Sequence, residues 1–447
     1  MYRTVRLCFL RFSPFTRIVF GFLSYVFLGI LALCNPLCQQ EPTRFIDNLF
    51  NVVSAISTTG LTTVVIGDQY SFWGNLVILT LVQLGAIGYM TLTSCLILVR
   101  GNQLSYSRSR ILGTEFALPE GFVLAQFIKH VLIYTIIVES IGVFFLWREF
   151  SRLGVESAFW QSVFHSVSAF GTAGFSLFPT GLEDFRYNQV VNITISSLSF
   201  WGAIGFIVPL DFYRRLRGQS KQITFTSHVI ICSSLIIVVG GTLFYAFCQQ
   251  FGYPQPSEIP DYTPNWTIAA FQVISASTTA GYNTVPIGSL APSTLVFLMI
   301  IMLIGGSPSG TGGGVKTTTI TVFVGIVVSV LHGRADRIAF LGRSIPLYRV
   351  FTAVAVVALY LFTAFVSILL LTITEDLDFL ALSFESISAL GTVGLSTGIT
   401  SALSDWGKII LTVTMFVGRI GPLTLGLALM YHASGSQTPV QKTDLVT

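Results

Sequence analysis

The chain has 447 residues, of which 52% are hydrophobic and 10% are charged, and its formal net charge is +4. Because an average soluble domain carries about 25% charged residues, this composition excludes a soluble globular protein and predicts an all-α polytopic membrane protein. Apolar runs near or above the ~20 residues that cross a bilayer follow in chain order at 18–34, 72–99, 123–147, 190–210, 228–248, 350–373 and 406–430. An eighth region, 293–331, is apolar at both ends and glycine-rich in the middle.

One short pattern occurs four times between these runs. The sequences SAISTTG, SAFGTAG, SASTTAG and SALGTVG begin at Ser54, Ser168, Ser275 and Ser388, and their last glycines are 107 to 114 residues apart. Self-similarity at a nearly fixed period indicates an internally repeated fold. The pattern predicts four repeats, at 18–99, 100–210, 211–332 and 333–430, between an N-terminal segment 1–17 and a tail 431–447.

Each repeat has the same predicted order of elements: a spanning helix, a connection, a half-length helix, the repeated pattern and a second spanning helix. In the first repeat, Phe45, Leu49, Val52 and Ile56 are three or four residues apart, which is typical of a helix. This segment is too short to cross a bilayer. A half-length helix that ends in a glycine turn predicts a re-entrant hairpin, whose backbone is allowed at membrane depth where it faces protein or water.

The Thr-x-Gly turns are the predicted ion-binding residues. Glycine adopts backbone angles that other residues avoid, so successive carbonyl oxygens of such a turn can point to one side. Four turns around one axis would replace the water shell of a monovalent cation, and TVGL in the fourth copy matches the start of the potassium-channel filter TVGYG. We therefore predict four membrane-pore-membrane repeats around a pseudo-fourfold central pore, with K+ bound at a selectivity filter formed by Thr58, Thr59, Gly60, Thr172, Ala173, Gly174, Thr279, Ala280, Gly281, Thr392, Val393 and Gly394.

The second helix of each repeat carries clustered glycines. GAIG occupies 85–88 and 202–205, GRIG occupies 418–421, and the third repeat has GGSPSGTGGGVKTTT at 305–319. Because proline and glycine interrupt helices, a break is predicted in the third repeat, where a loop at 305–316 would obstruct the inner side of the filter. The candidate gate residues are Gly305, Gly306, Gly310, Gly312, Gly313, Gly314 and Lys316.

Lys316 and Arg419 are predicted charges inside the membrane, where ionisable residues are functional candidates. Lys316 would hold the loop closed by pairing with an acidic group or by occupying a cation position. The simpler alternatives are snorkelling of Lys316 towards the cytoplasm and a structural ion pair of Arg419. Glu139 and Glu385 are both candidate partners for a buried cation.

The distribution of Lys and Arg predicts the topology, because short loops rich in these residues stay in the cytoplasm. The connections that contain the four turns are acidic instead, so the outer face would concentrate cations. We therefore expect a multi-pass protein of the plasma membrane with both termini in the cytoplasm. The inner connections carry Arg3, Arg6, Arg11, Arg17, Arg100, Arg108, Arg110, Arg214, Arg215, Arg217, Lys221, Arg334, Arg337, Arg343 and Arg349.

The four turns, the glycine-rich break in the third repeat and GRIGPLT at 418–424 resemble the Trk/Ktr/HKT superfamily of potassium transporters over about residues 18–430. The chain is most similar to the Ktr-type membrane subunit. The resemblance implies that 305–316 is an intramembrane gate loop and that Arg419 forms an electrostatic barrier below the filter. It also implies that Gly60, where some members carry serine, favours potassium over sodium.

The same resemblance implies the partners. Members work as homodimers on a ring of cytoplasmic nucleotide-binding (RCK-type) regulatory subunits. The expected nucleotide therefore belongs to the regulator, and no cofactor is expected in this chain apart from K+ as the transported ion. The other expected partner is the lipid membrane, and no nucleic acid is expected.

The functional hypothesis is gated, channel-like conduction of K+ into the cell, driven by the membrane potential at about 2.3 kcal/mol per charge per 100 mV. The alternatives are a Na+- or H+-coupled K+ symporter and a mixed Na+/K+ transporter of the same fold. An enzyme acting on a phosphorylated substrate is disfavoured, because Val315 separates Gly314 from Lys316 and the Gly-Lys-Thr ending of a phosphate-binding loop is absent.

Overall fold

The computed structural model describes residues 14–88, 94, 124–220, 222–251, 265–333, 338–340 and 342–430. The predicted N-terminal segment lies outside these residues up to position 13, and so does the whole predicted tail 431–447. The same holds for a group of the basic residues that carry the topology prediction, namely Arg3, Arg6, Arg11, Arg100, Arg108, Arg110, Lys221, Arg334 and Arg337.

The described part of the chain repeats one order of elements in four quarters: a long helix, a half-length helix that ends in the Thr-x-Gly turn, and a second helix that is short or broken. In chain order the helices are α1 (Pro14–Leu33), α2 (Phe45–Ile56), α3 (Ile66–Gln69), α4 (Phe72–Ile87), α5 (Leu124–Arg152), α6 (Ala158–Phe170), α7 (Gln189–Ala203), α8 (Ile207–Leu216), α9 (Phe225–Phe251), α10 (Trp266–Ser277), α11 (Pro292–Leu303), α12 (Thr317–Leu331), α13 (Leu347–Thr374), α14 (Phe379–Gly391), α15 (Asp405–Ile420) and α16 (Pro422–Met430).

The long helices α1, α5, α9 and α13 confirm the first predicted span of each quarter. They are 20, 29, 27 and 28 residues long, and each is long and apolar enough to cross a membrane. Large apolar side chains on them are more than half exposed, as expected for surfaces that face hydrocarbon. Examples are Phe27, Ile136, Ile236 and Phe362.

The second helices differ from the continuous spans that their apolar runs predict in three of the quarters. The helix pairs α7–α8 and α15–α16 are each bent by 88°, and α4 ends at Ile87. The residue at each break is the second glycine of the GAIG or GRIG sequence, and Gly88, Gly205 and Gly421 have φ values of 84°, 90° and 88°. Because a positive φ is incompatible with a right-handed helix and is readily adopted by glycine, the helix ends there. The break predicted for the third quarter is confirmed, since residues 304–316 separate α11 from α12.

The half-length helices α2, α6, α10 and α14 are 12, 13, 12 and 13 residues long, as predicted. Ten positions before its turn glycine, each buries a phenylalanine that is at most 3% exposed; these are Phe50, Phe164, Phe271 and Phe384. The four turns are therefore placed in the interior of the protein.

A two-stranded hairpin follows α12. Strand β1 (Ala339–Phe340) pairs antiparallel with β2 (Arg343–Ser344). The backbone N–H of Ala339 donates to Ser329 Oγ of α12 at 3.3 Å, and the Arg343 guanidinium lies 4.7 Å from the centre of the Phe225 ring at the start of α9. The hairpin thus joins the ends of α9 and α12 on one side of the molecule.

Candidate functional site

The four Thr-x-Gly turns have the same backbone conformation. The first threonine of each turn is left-handed, with φ between 50° and 57°, and the glycine has φ between 69° and 92°. The residue between them donates its N–H to the carbonyl of the pattern serine five residues earlier at 2.8 to 2.9 Å. Left-handed threonine is costly because its Cβ approaches the backbone, so each turn must be held by its surroundings.

Each turn contacts the next, and the fourth turn contacts the first. A Cβ added to Gly60 would collide with the carbonyl oxygen of Ala173 in the second turn, and one added to Gly174 would lie 2.7 Å from that of Ala280 in the third. In the same way Gly281 abuts Val393 in the fourth turn, and Gly394 abuts Thr59 in the first. The backbones of the four predicted filter segments are therefore packed directly against one another, with glycine required at each contact.

The pattern serines hold these turns through their side chains. Ser54 Oγ accepts from the N–H of Gly60 at 3.1 Å, and Ser388 Oγ does the same for Gly394 at 3.0 Å. Ser168 and Ser275 instead donate to the carbonyl of the residue after the glycine, at 3.0 and 2.6 Å. This explains why serine is part of the repeated pattern, a role that the sequence analysis leaves unassigned.

The first glycine of each GAIG or GRIG sequence brings the second helix against the end of the half-length helix. A Cβ on Gly85, Gly202 or Gly418 would collide with the carbonyl oxygen of the residue that lies two positions before the turn threonine. Glycine fits these positions because it has no side chain and therefore allows two backbones to approach closely. The carbonyls concerned are those of Ile56, Phe170 and Leu390.

The glycine-rich loop, residues 304–316, lies against the turns. Its two ends pair through hydrogen bonds from Gly305 N to Val315 O and from Gly306 N to Gly313 O, both 3.1 Å. Gly313 N also donates to Thr279 Oγ1 at 3.1 Å, and a Cβ on Gly313 would collide with Thr392 Oγ1. The loop therefore touches the third and fourth turns at a position that only glycine can occupy.

The other side of the loop is fastened to the second quarter. Thr311 donates from its hydroxyl to Phe170 O at 3.1 Å, and this hydroxyl lies 3.2 Å from that of Thr172 in the second turn. Ser307 N donates to Ala203 O at 2.9 Å, and Phe206 N donates to Ser309 O at 3.3 Å. The loop thus closes over the break between α7 and α8.

Arg419 connects the loop to the first quarter. Its guanidinium donates to Thr58 Oγ1 at 2.9 Å, to Thr311 O at 2.6 Å and to Gly85 O. With the loop contacts, this places a bond or a close contact at the first threonine of all four turns. The predicted gate residues and Arg419 are therefore brought together beneath the predicted filter.

Lys316 is bound within its own loop. Its ammonium donates to Gly312 O at 2.6 Å. The carboxylate of Glu139 accepts from Gln83 Nε2 at 2.9 Å, and that of Glu385 accepts from residues that follow the fourth turn. Among the ion pairs of the described residues, neither glutamate is a partner of Lys316, so pairing of Lys316 with either of them is not found.

A cavity of about 690 Å³ lies beside the loop and also touches Ile56, the last residue of α2. The described residues around it include apolar side chains of α1 together with the loop and α16. Three basic side chains also line it, those of Lys316, Arg349 and Arg419. Arg349, which the sequence analysis assigns to an inner connection, places the cavity on the side predicted to face the cytoplasm.

The outer connections also join neighbouring quarters. Glu183 Oε1 accepts from Asn283 Nδ2 at 2.7 Å, and Leu182 N donates to Asn283 O at 3.1 Å. Burial raises the pKa of the Glu183 carboxyl, although the bond from Asn283 and the charge of Arg186 act in the opposite direction. The Glu183 carboxyl thus links the second and third quarters through Asn283.

A buried ion pair is absent from the sequence predictions. Lys408 Nζ of α15 lies 2.8 Å from Asp47 Oδ1 of α2, and the two side chains are 7% and 9% exposed. Their position in the sequence is the signal that identifies them. Lys408 lies three residues after Asp405 and Asp47 three residues after Arg44, each near the start of an amphipathic helix. Arg44 and Asp405 form a second ion pair.

These observations define a class: a multi-pass helical membrane protein built around a closed set of re-entrant turns, with a glycine-rich loop against them. The family model described as TrkH, cation transport protein, matches residues 15–437. The chain therefore belongs to the TrkH family of cation transport proteins, which confirms the resemblance to the Trk/Ktr/HKT superfamily.

Similar proteins cover nearly the whole chain. Ktr system potassium uptake protein B of Bacillus subtilis is 32% identical over 93% of this chain and 92% of its own length. The protein of the same name from Vibrio alginolyticus is 31% identical over 92% of this chain and 90% of its own length. Potassium/sodium uptake protein NtpJ of Enterococcus hirae is 29% identical over 96% and 95%.

The fold is also similar to a solved structure. The crystal structure of the potassium transporter TrkH from Vibrio parahaemolyticus superposes with a TM-score of 0.71 at 21% identity, over 94% of this chain and 85% of that one. This likeness confirms the predicted all-α polytopic membrane fold.

Proposed function

We propose that this chain is the ion-translocating subunit of a potassium uptake system and that it conducts K+ inward through the ring of four turns. The observation that carries the proposal is the closed order in which the glycine of each turn packs on a carbonyl of the next. It is supported by the similarity to two proteins named Ktr system potassium uptake protein B.

In the proposed mechanism, K+ loses its water shell to the backbone carbonyls of the turns. Carbonyl oxygens can replace hydration water around K+ when several of them surround the ion at fixed positions. Fixed positions follow from the contacts between turns, since no turn can shift without moving its neighbour. The predicted ion-binding residues 58–60, 172–174, 279–281 and 392–394 would form this site.

The glycine-rich loop is the proposed gate. It meets the turn threonines from one side and separates them from the cavity of about 690 Å³. Arg419 would hold the loop closed through Thr311 and would place a positive charge in the cation path. Lys316 would stiffen the loop through Gly312. Opening requires that these bonds break together, and the membrane potential then drives the ion inward.

The proposed assembly has a homodimer of this chain in the plasma membrane, both termini in the cytoplasm, and a separate nucleotide-binding RCK-type subunit that controls the loop. The support is the similarity to proteins whose names describe one component of a Ktr system. A second candidate is a mixed or Na+-coupled potassium transporter. The relative named potassium/sodium uptake protein NtpJ favours it, at 29% identity.

The proposal is tested by the growth of a bacterium that lacks its own K+ uptake systems, with and without a co-expressed regulatory subunit. We expect wild type to restore growth at low K+ and Gly60→Ser to lower the ratio of K+ to Na+ uptake. The reason is that a Cβ at Gly60 collides with Ala173 O and displaces the second turn. Initial uptake rates of both ions, normalised to the protein in the membrane, are the measurement.

Gly154→Ser is the matched control. Gly154 also has a positive φ, 73°, but no described atom lies within 4 Å of an added Cβ, so it tests backbone strain without the collision. We expect its uptake ratio to equal that of wild type. Failure of wild type to restore growth under either condition would refute the potassium assignment, and equal ratios in both variants would refute the ring as the ion path. Dependence of K+ uptake on external Na+ would favour the second candidate.

A further inference from the structure

The repeated pattern is longer than its Ser-Ala start suggests. In every quarter a polar residue lies nine positions before the turn glycine and directly follows the buried phenylalanine of the half-length helix. Each of these polar side chains is 0% exposed. The residue type differs from quarter to quarter, and the four are Asn51, His165, Gln272 and Glu385.

These four residues, named here the outer clamp, lie three positions before the pattern serines. Side chains three residues apart share one face of a helix, so both sets point at the same neighbour. That neighbour is the segment that leads outward from each turn glycine. The serines hold its first residues, and the outer clamp holds residues two to six positions after the glycine.

The bonds of the outer clamp in the first three quarters are few. Asn51 Oδ1 accepts from Thr63 N at 3.4 Å. His165 Nε2 lies 3.0 Å from Ser176 Oγ; since its Nδ1 faces the carbonyl of Gln161 at 2.7 Å and must donate there, Nε2 accepts from the serine in the neutral ring. Each of these two quarters thus has one outer-clamp bond to the outgoing segment.

The third quarter has the weakest outer clamp. Gln272 Nε2 donates to Thr284 Oγ1 at 3.2 Å, and within the described chain its Oε1 has no hydrogen-bond partner. A neutral bond contributes about 0.5–1.5 kcal/mol net. Loss of this bond therefore removes little restraint.

The fourth quarter has the strongest outer clamp. Glu385 Oε1 accepts from Ser396 Oγ at 2.6 Å and from Thr397 N at 3.0 Å, and its Oε2 accepts from Thr400 Oγ1 at 2.9 Å. The Thr397 hydroxyl adds a bond at 3.3 Å. One buried side chain thus binds three residues, Ser396, Thr397 and Thr400, of the outgoing segment that follows the TVG turn.

We propose that Glu385 is a specificity-determining positioning residue: by fixing the segment behind the fourth turn, it keeps the carbonyls of that turn at the spacing that suits K+ rather than Na+. The inference rests on the proposed function, since it assigns a role around the same ring. Glu385 acts through Val393 and Gly394 and does not touch the ion. Because Gly281 packs on Val393 and Gly394 packs on Thr59, a displacement in the fourth turn is passed to both neighbours.

The test compares Glu385→Leu, Glu385→Gln and Gln272→Leu in the full chain, using the uptake assay described above with K+ and Na+ as the probes. We expect Glu385→Leu to lower the K+ to Na+ ratio by about tenfold, which corresponds to a loss of roughly 1.4 kcal/mol. Glu385→Gln keeps an oxygen that accepts from Thr397 N and should recover most of the ratio. Gln272→Leu loses one neutral bond and should change the ratio by no more than about twofold.

A role in folding alone would lower both fluxes together with the amount of protein and leave the ratio unchanged, which would overturn the inference. An equal loss in Glu385→Gln and Glu385→Leu would also overturn it, since charge rather than anchoring would then decide. If Glu385→Leu does not reach the membrane, Ser396→Ala with Thr400→Val removes two of the donors, and an unchanged ratio in that variant overturns the inference. Wild-type growth at low K+, measured in parallel, separates these outcomes from failure of the proposed function.

Discussion

The contact between the fourth and first quarters, here called the closing seam, differs from the three contacts between consecutive quarters in covalent continuity and in charge. Consecutive quarters are joined by the chain itself, whereas α15 and α2 at the closing seam are far apart in sequence. At the closing seam the second helix of the fourth quarter, α15, carries Lys408 four positions after its N-cap residue. The corresponding residues elsewhere are neutral: Asn75, Asn192 and Leu295.

The partner position shows the same difference. Asp47 lies thirteen residues before its turn glycine, and the residues at that distance in the other quarters are Gln161, Ile268 and Ala381. The closing seam is thus the one of the four at which these two positions carry opposite charges. Three polar contacts at three depths follow one another along it, with an exposed pair at the outer end, a buried pair in the middle and Arg419 at the inner end. We infer that the charged residues stabilise the contact between the two quarters that no chain segment joins directly.

The largest expected loss of stability follows from breaking the buried ion pair of the closing seam. Lys408→Ala leaves Asp47 buried without its partner, and breaking a buried ion pair in this way costs about 3–5 kcal/mol. We expect a clear fall in the Tm of the purified protein in detergent. Lys408→Asn with Asp47→Gln copies the neutral residues of the seam between the first two quarters, Asn75 and Gln161. The double variant should recover most of the loss; if it is as unstable as the single variant, charge is not what distinguishes the seams.

An intermediate effect is expected at the inner depth. Arg419→Met removes the bonds to Thr58, Thr311 and Gly85, and the bond to Thr311 fastens the loop. The loop should open more often, so K+ uptake without the regulatory subunit should rise by about tenfold. Arg349→Met removes a charge that lines the same cavity without touching the turns, and should leave uptake near the wild-type rate. Equal rates in the two variants would mean that cavity charge alone limits the flux.

The smallest effect is expected at the outer depth. The Arg44 and Asp405 side chains are 63% and 53% exposed, and exposed ion pairs contribute about 0.2–1 kcal/mol. Arg44→Ala should therefore lower the Tm slightly, and less so at high salt, because salt screens exposed charges. A fall in Tm as large as that of Lys408→Ala would contradict the view that the buried ion pair contributes most of the stability of the closing seam.

Local patterns in the sequence predict the turns and the half-length helices, because a glycine turn after a short apolar helix needs no distant information. The breaks at Gly205 and Gly421 are missed for a different reason. The runs around them are uniformly apolar, and a positive φ at a single glycine does not change hydropathy. The shared GxxG spacing with Gly88 is the signal that identifies them.

Contacts between quarters are not predictable from such patterns. The three hydrogen-bond acceptors of Arg419 named above lie 108 to 361 residues away in the chain. Two of them are backbone carbonyls, and because every residue has one, no residue type in the sequence identifies them. The outer clamp is missed because Asn, His, Gln and Glu share burial and position rather than residue type. Its one sequence signal is the phenylalanine that precedes it in all four copies.

The placement of Arg419 shows what a fused chain permits that a pore of four identical subunits does not. The residues at its position in the first and second quarters are Ala86 and Ala203. In a symmetric tetramer one codon would set all four positions, and four guanidinium groups would crowd a single level of the axis, where like charges repel strongly at short range. A single gene for the whole ring allows one cationic side chain at that level, so selection can change the residue in each quarter independently.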